Sequence, residues 1–483
     1  MKYIIFSFLV MTKLTTMYGQ SWQWAKNEKA YGKVTSECND LNGNVYIAGT
    51  TGTNAVIGPF TVTVPFNEGL IVKYDQFGTA LWVKNYSNVV SCAVTTDNSG
   101  NVFLAGTFVN SMVVGTTTLN SPSQYDIFLI KHDAAGNVLW VRTGTGSSQE
   151  YVNSVCTDAL GNCFIVGAFT SNSVSFGSLT LTNGTNSFNY HIVKYDPNGN
   201  ELWARANQGG LAISNDVAAD NNGDVVMVGN ILSPTLVIGN YTFPSQNYNF
   251  YVTKYTGAGT LAWAISGGGS GQDFGNSISL DPSGDLYFCG GTSSPVCTIG
   301  SYTFSTQGNL DMYLAKYSGG GNFQWAKHGG GATREEAWSV ASDAAGIYVV
   351  GNASSPSMTI ANVTLNAPSG TYSADAMFMA EYNSTGNPMN AMLLNGGGNS
   401  LGDVSLFGPC NLYLGGALLT PTVVIGSDTL ASSTPSTSAY FVAKYNRTNS
   451  APTVNISGNL LLCPGQSTTL TASGAQTYTW MNG

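Results

Sequence analysis

Carboxylates set beside aromatic rings are the most chemically suggestive residues of this chain: Glu28, Glu150-Tyr151, Asp273-Phe274, Glu335-Glu336 with Trp338, and Asp403. Such pairings suit a sugar, a peptide or a cation, because the carboxylate takes hydrogen bonds or positive charge while a ring face stacks. Glu150 and Glu335 would also serve a glycoside hydrolase as acid and base or nucleophile, which requires carboxyls about 5 to 9.5 Å apart and one raised pKa. The histidines, His132, His191 and His328, stand at no recognisable spacing from a nucleophile. No Cys-x-x-Cys pair or His cluster offers metal-ligand spacing. Asp220-Asn-Asn-Gly-Asp224 has the look of a calcium loop but lacks the bidentate Glu at loop position twelve, so a structural turn is expected there. Calcium is the one ion left open, and no other cofactor is expected. Cys156 with Cys163 and Cys289 with Cys297 are candidate disulfides, but the apolar residues that other copies carry opposite Cys289 and Cys297 favour burial as small apolar side chains.

These residues need elements to hold them, and the elements come from a repeat. Trp24, Trp82, Trp140, Trp203, Trp263 and Trp325 are spaced 58, 58, 63, 60 and 62 residues apart. Lys73-Tyr-Asp, Lys131-His-Asp, Lys194-Tyr-Asp, Lys254-Tyr-Thr, Lys316-Tyr-Ser, Glu381-Tyr-Asn and Lys444-Tyr-Asn mark seven copies. A turn such as Asp40-Leu-Asn-Gly-Asn44, followed by an apolar strand ending in Gly49, recurs from Asp97, Asp158, Asp220, Asp281 and Asp343. The seventh copy is degenerate, with Phe407-Gly-Pro-Cys-Asn411 for the turn and Asn390 where the next Trp belongs. Short segments rich in β-branched and aromatic residues, for instance 153–157, 163–167, 190–195 and 201–205, predict four strands per copy. Asp caps each turn and Gly supplies the positive φ that a bulged hairpin needs.

Seven four-stranded sheets must bury both faces, and packing them around a central channel does so with only short edges. Trp22 to Lys26 is an orphan fourth strand and Tyr440 to Tyr445 an orphan third strand, so each supplies what the other lacks. The fold class expected is therefore all-β: a seven-bladed β-propeller over residues 20–447, closed by pairing of the N-terminal strand with the last blade. The repeated Trp is expected to pack between blades. The tight turns should share one face, leaving the longer connections and the carboxylate–aromatic residues named above at the other, around the channel mouth.

The stretch Gly267-Gly-Gly-Ser-Gly-Gln-Asp273-Phe-Gly-Asn-Ser-Ile-Ser-Leu-Asp281-Pro-Ser-Gly-Asp285-Leu-Tyr-Phe-Cys-Gly-Gly291, continuing to Met312-Tyr-Leu-Ala-Lys316-Tyr317 and Trp325, resembles the SBBP-type bacterial β-propeller repeat. That resemblance spans nearly the whole array and implies the fold together with a secreted or surface setting, without assigning an activity. Residues 448–483, with Val454-Asn-Ile456, Cys463-Pro-Gly-Gln-Ser-Thr-Thr-Leu-Thr471 and Tyr478-Thr-Trp480, resemble the opening strands of an Ig-like or PKD-like sandwich, an incomplete β-sandwich segment. By resemblance to secreted proteins of the Bacteroidota, further sandwich modules and a type IX sorting domain would follow.

Composition narrows the function. Charged residues make up 9% of 483 positions, the net charge is −9 and no basic block exists, so nucleic acid is not an expected partner. Lys2, the nine-residue apolar run Tyr3 to Met11 and a small residue at Gly19 read as an export signal over residues 1–19. No apolar run reaches the ~20 residues that span a bilayer, so a secreted or cell-surface chain that does not span the membrane is expected. An outer-membrane barrel is disfavoured by Gly-rich loops recurring every four strands. The leading expectation is a noncatalytic, monomeric module for binding an extracellular glycan or protein, for adhesion or for spacing. The alternative is a carbohydrate-active enzyme using carboxylates at the channel mouth.

Overall fold

The computed structural model describes residues 21–447 apart from 53, 64–67, 185–186, 362, 367–375, 395–399, 419–421 and 432–438, together with 455–457 and 471–473. The expected export signal lies outside the described residues. So does the sandwich-like segment, save for one short strand pair, Asn455–Ser457 with Thr471–Ser473.

The chain is an all-β, seven-bladed propeller in which every strand pairing within a blade is antiparallel. The third blade shows the pattern: innermost strand Glu150–Thr157, then Cys163–Phe169, Asn189–Tyr195 and outermost strand Glu201–Ala206. Second and third strands are buried along their whole length, with no polar face, because a blade lies against each side of them. Buried apolar residues fall into seven clusters, each joining two adjacent blades; Val155 and Ile165 of the third blade meet Phe103 and Leu129 of the second.

Closure is by one shared strand. Ser21–Asn39 begins as the outermost strand of the last blade, pairing Trp22 with Tyr445 and Lys26 with Val442. It ends as the innermost strand of the first, pairing Ser36 with Ala48 and Asn39 with Val45.

The repeated residues clasp each blade to the next. Trp24, Trp82, Trp140, Trp203, Trp263 and Trp325 each donate their indole N–H, at 3.1–3.2 Å, to a main-chain carbonyl of the following blade's outer turn. The turn glycine must lie flat under the ring: a Cβ on Gly199, at φ 82°, would stand 3.0 Å from the Trp140 indole. Marker lysines Lys73, Lys131, Lys194 and Lys444 reach the neighbouring blade as well, Lys131 Nζ donating to Pro197 O at 3.0 Å and pairing with Asp97 at 3.3 Å, whereas Lys254 and Lys316 pair with Asp220, Asp224 and Asp285 of their own blades. Where the sixth copy carries Glu381 in place of that lysine, Tyr348 donates to it at 2.6 Å and Arg447 pairs instead with Asp343.

The structure adds an element that four strands per copy do not anticipate. The connection from second to third strand is itself a two-stranded hairpin, such as Ser173–Phe176 with Leu179–Thr182. It lies against the outermost strand of the preceding blade, and in two places it extends that sheet to six strands: Gly144 pairs with Phe176, and Gly329 with Ile360. A loop expected at the ligand face is thus spent covering a sheet edge.

Candidate functional site

The innermost strands surround the axis, and six of them bulge at the same place: Val34/Ser36, Val152/Ser154, Ser214/Asp216, Gly275/Ser277, Ala337/Ser339 and Leu401/Asp403. A bulge leaves one residue out of the ladder and turns it inward. The residues so released, Thr35, Asn153, Asn215, Asn276, Trp338 and Gly402, line a cavity of about 100 Å³ to which all seven blades contribute. Trp338 is 37% exposed there, and Gly402 of the next blade stands beside it in the ring of bulges.

Two sets of hydrogen bonds cross between blades beside this channel. Asn153, Asn215 and Asn276 donate their amide N–H to Ser214 O, Gly275 O and Ala337 O of the next blade at 2.8–2.9 Å. Asp216 accepts from Ser154 Oγ at 2.7 Å and from Ile278 N at 2.9 Å, so it spans three blades. Asp403 does the same between Ser339 Oγ at 2.7 Å and Glu37 N at 2.9 Å. Burial raises both carboxyls above the ordinary range; the charge of Asp216 adds to the rise at Asp403, which is pushed up to about 6. No Lys, Arg or His is among the described residues that line the cavity.

The other acidic candidates do not form an open rim. Glu150, Asp273 and Glu335, each the first residue of an innermost strand, are 0% exposed. Each turns toward the end of its neighbouring second strand: Ser171 Oγ donates to Glu150, Thr292 Oγ1 to Asp273, Ser294 Oγ to Asp273 at 2.9 Å, and Ser355 N to Glu335 at 3.1 Å. These carboxylates tie a strand exit to its own sheet. Burial lifts all three, and Glu150, which also faces Asp126, is pushed up to about 7. Glu150 and Glu335 start the third and sixth blades, so the structure does not bring them together as an acid–base pair. Glu336 is buried, paired with Arg334 and bonded to Asn276 Nδ2 at 3.0 Å. The backbone of Glu28 pairs with Tyr440, and its side chain lies outside the described residues.

Tyr151 is half-buried in an aromatic cluster on the loop face, its ring 5.4 Å from Tyr125 and 6.3 Å from Phe188, its hydroxyl donating to Gln149 at 2.8 Å. Phe274 is half-buried, and its carbonyl accepts from Tyr313. His132 and His191 are fully buried, beside Tyr86 Oη at 2.6 Å and Tyr151 O at 2.8 Å; His328 is half-buried against Phe304 and Tyr302.

Neither candidate disulfide is made. Cys163 pairs across the ladder with Thr157, and Cys156 with Phe164, which puts the two thiols on opposite faces of the sheet. Cys289 and Cys297 belong to apolar clusters on opposite sides of one blade, and both thiols are free and buried.

Sequence reasoning placed only Trp338 and Asp403 of the channel set. It missed the asparagines, Asn153, Asn215 and Asn276. Their signal was available: each follows the start of its blade by the same few residues and precedes a Ser or Asp.

No family model matches the chain. An uncharacterized WD repeat-containing protein of Acanthamoeba polyphaga mimivirus is 26% identical over 228 residues, covering 38% of this chain and 16% of that protein. The chain thus spans about a sixth of the length of that relative. A protein of unknown function from Dyadobacter fermentans has 10% identity and a TM-score of 0.40, over 88% of this chain and 99% of its own. An endosialidase of phage phi92 has 10% identity and a TM-score of 0.42, over 95% and 76%.

Proposed function

We propose that this chain is an exported, noncatalytic propeller that binds an extracellular glycan or protein on its channel face, of the SBBP type, with the sandwich-like segment after residue 447 as the start of a stalk. One observation carries the reading. The carboxylates named for a glycosidase, Glu150 and Glu335, are 0% exposed and engaged by the Ser171 hydroxyl and the Ser355 main-chain N–H, while the axial cavity is lined by amides, hydroxyls, the Trp338 indole and two carboxylates, Asp216 and Asp403, that are hydrogen-bonded to neighbouring blades. Amides with one aromatic plane recognise polar ligands without reacting with them. The secretory setting, the type IX route and the monomeric state are parts of the same proposal. The raised carboxyl of Glu150 is what favours the enzymatic alternative.

A glycan array probed with the full chain tests both readings. Binding that Trp338→Ala reduces at least tenfold, with no turnover, is the expected result. Hydrolysis of any polysaccharide that Glu150→Gln or Glu335→Gln abolishes would overturn it.

A further inference from the structure

The loop face carries aromatic side chains that the blades do not use for their own packing. Tyr125, Tyr151, Phe188, Tyr248 and Phe274 come from the second to fifth blades, and none belongs to the seven apolar clusters that join one blade to the next. They occupy two repeated positions. The carbonyls of Tyr125, Phe188 and Tyr248 accept the N–H that opens the next blade's innermost strand, from Glu150, Ala212 and Asp273 at 3.0, 2.9 and 2.7 Å. Tyr151 and Phe274 each stand second in such a strand, paired with Ala168 and Gly291. Equivalent positions of a propeller lie at like radius, so the five follow an arc over four successive blades. Within it the Tyr151 ring lies 5.4 Å from Tyr125 and 6.3 Å from Phe188, with interplanar angles of 33° and 35°. Tyr46, Tyr190, Tyr313 and other large rings of this chain are fully buried, whereas four of the five are half-buried and Tyr248 is 39% exposed. Tyr248 also holds φ at 43°, which a bulky residue adopts only where its surroundings impose it.

Amides border the rings. Tyr151 Oη donates to Gln149 Oε1 at 2.8 Å, and Gln149 Nε2 donates to Gln124 Oε1, so N–H groups of both amides remain for a ligand. The backbone beneath is laced together, Gln124 N donating to Ser148 O at 3.2 Å and Thr170 N to Gln149 O at 2.9 Å, which lowers the ordering cost of binding. No Lys or Arg stands among these residues, and a net charge of −9 disfavours an anionic polymer.

We infer, on the reading above that the ligand is a glycan, that this arc is where it binds and that it is a neutral oligosaccharide of β-linked, equatorially substituted pyranoses such as glucose or xylose units. Sugars of that configuration keep their hydroxyls at the ring edge and present C–H groups on both faces, so a face stacks on an aromatic ring while the edge meets amide donors. Aromatic positions that recur from blade to blade suit an extended chain of several units better than a single sugar. The arc leads from the second blade toward the sixth, where Trp338 stands.

Isothermal titration calorimetry of the full chain with cellohexaose, xylohexaose and a hexaose of galacturonic acid supplies the test. At least one neutral hexaose should bind and the acidic one should not. Tyr125→Ala and Phe188→Ala should each weaken that binding about three- to tenfold, the worth of one aromatic stack, and the double variant by roughly the product. Tyr125→Phe, which keeps the ring, should bind within about twofold of the parent. Because neither side chain belongs to a blade core, each variant should melt within about 2 °C of the parent. Absence of neutral binding, preference for the acidic hexaose, or affinity indifferent to both ring variants would overturn the inference. Indifference to the rings together with loss on Trp338→Ala would do so while leaving the glycan reading in place, and hydrolysis of a hexaose bound through the rings would overturn the noncatalytic reading alone.

Discussion

Asp126 and Glu150 offer a sharp test of how this ring manages buried charge. Both are 0% exposed, Gly146 N donates to Asp126 Oδ1 at 3.2 Å, and the second oxygens of the two carboxyls, Asp126 Oδ2 and Glu150 Oε2, have no hydrogen-bond partner among the described residues. A proton held by Glu150 would satisfy both oxygens. Glu150 stands at about 7 against an ordinary 4.5, chiefly through burial and then through Asp126, with the Ser171 hydroxyl working in the opposite direction. A carboxyl raised on folding makes the native state hold more protons than the unfolded chain, so its contribution to stability is intact below about pH 4.5 and is lost as pH rises toward 7. At about 1.4 kcal/mol per pH unit, the loss is at most about 3.5 kcal/mol. In the fourth blade the residue aligned with Asp126 is the neutral Asn249, and the next blade opens with Asp273. Asp126→Asn should therefore leave stability unchanged at pH 4.5 and raise it by about 1 to 3 kcal/mol at pH 8, read from urea denaturation of variant and parent side by side. A difference between the two that does not vary with pH would refute the raised carboxyl of Glu150.

Trp203, 6% exposed and clasped to Gly257 O, should cost about 3 to 5 kcal/mol on substitution by Ala, whereas Trp338→Ala should cost under about 1, both measured in denaturant. Ala361 turns its hairpin at φ 53°, where the other hairpins use glycines such as Gly239 at 56°; Ala361→Gly should stabilise by about 0.5 to 1 kcal/mol and Gly239→Ala should destabilise by about 1 or more, compared by melting. Asp216→Ala strands the Ser154 hydroxyl and Ile278 N–H and should cost about 2 to 4 kcal/mol by equilibrium unfolding. Alkylation in denaturant without reductant should label all seven described cysteines.

The ring was legible in the sequence because its period is written in large residues that do one job each. A Trp every sixty-odd positions, a lysine one strand earlier and a Gly under the next indole are constraints set by blade-to-blade contact, and they survive where strand interiors vary. Ring closure was legible from the two orphan strands. The edge hairpins were not, although Ile238-Gly239 and Ile299-Gly300, each followed by Tyr, repeat as alternating strands with a positive-φ turn; their brevity hides them beside the markers. The acidic candidates were misjudged for a different reason. The first residue of an innermost strand sits at a loop in sequence but, once the strand bulges, faces back into its own sheet, and a serine about twenty residues on receives it. The asparagines escaped because Asn in a Gly-rich chain reads as a turn, not as a wall.

The strand shared by the last and first blades sets an order of events. Residues Trp22 to Lys26 are made first on the ribosome yet find their ladder partners, Tyr445 to Val442, only when more than four hundred further residues have appeared. Until then six blades can stack while the opening strand waits unpaired, a sticky edge at the stage when a neighbouring chain could capture it. Slow final docking and vulnerability to swapped dimers at high concentration are built into this topology, and a circularly permuted chain starting at the turn after Phe108 would shift that wait to a different pair of strands.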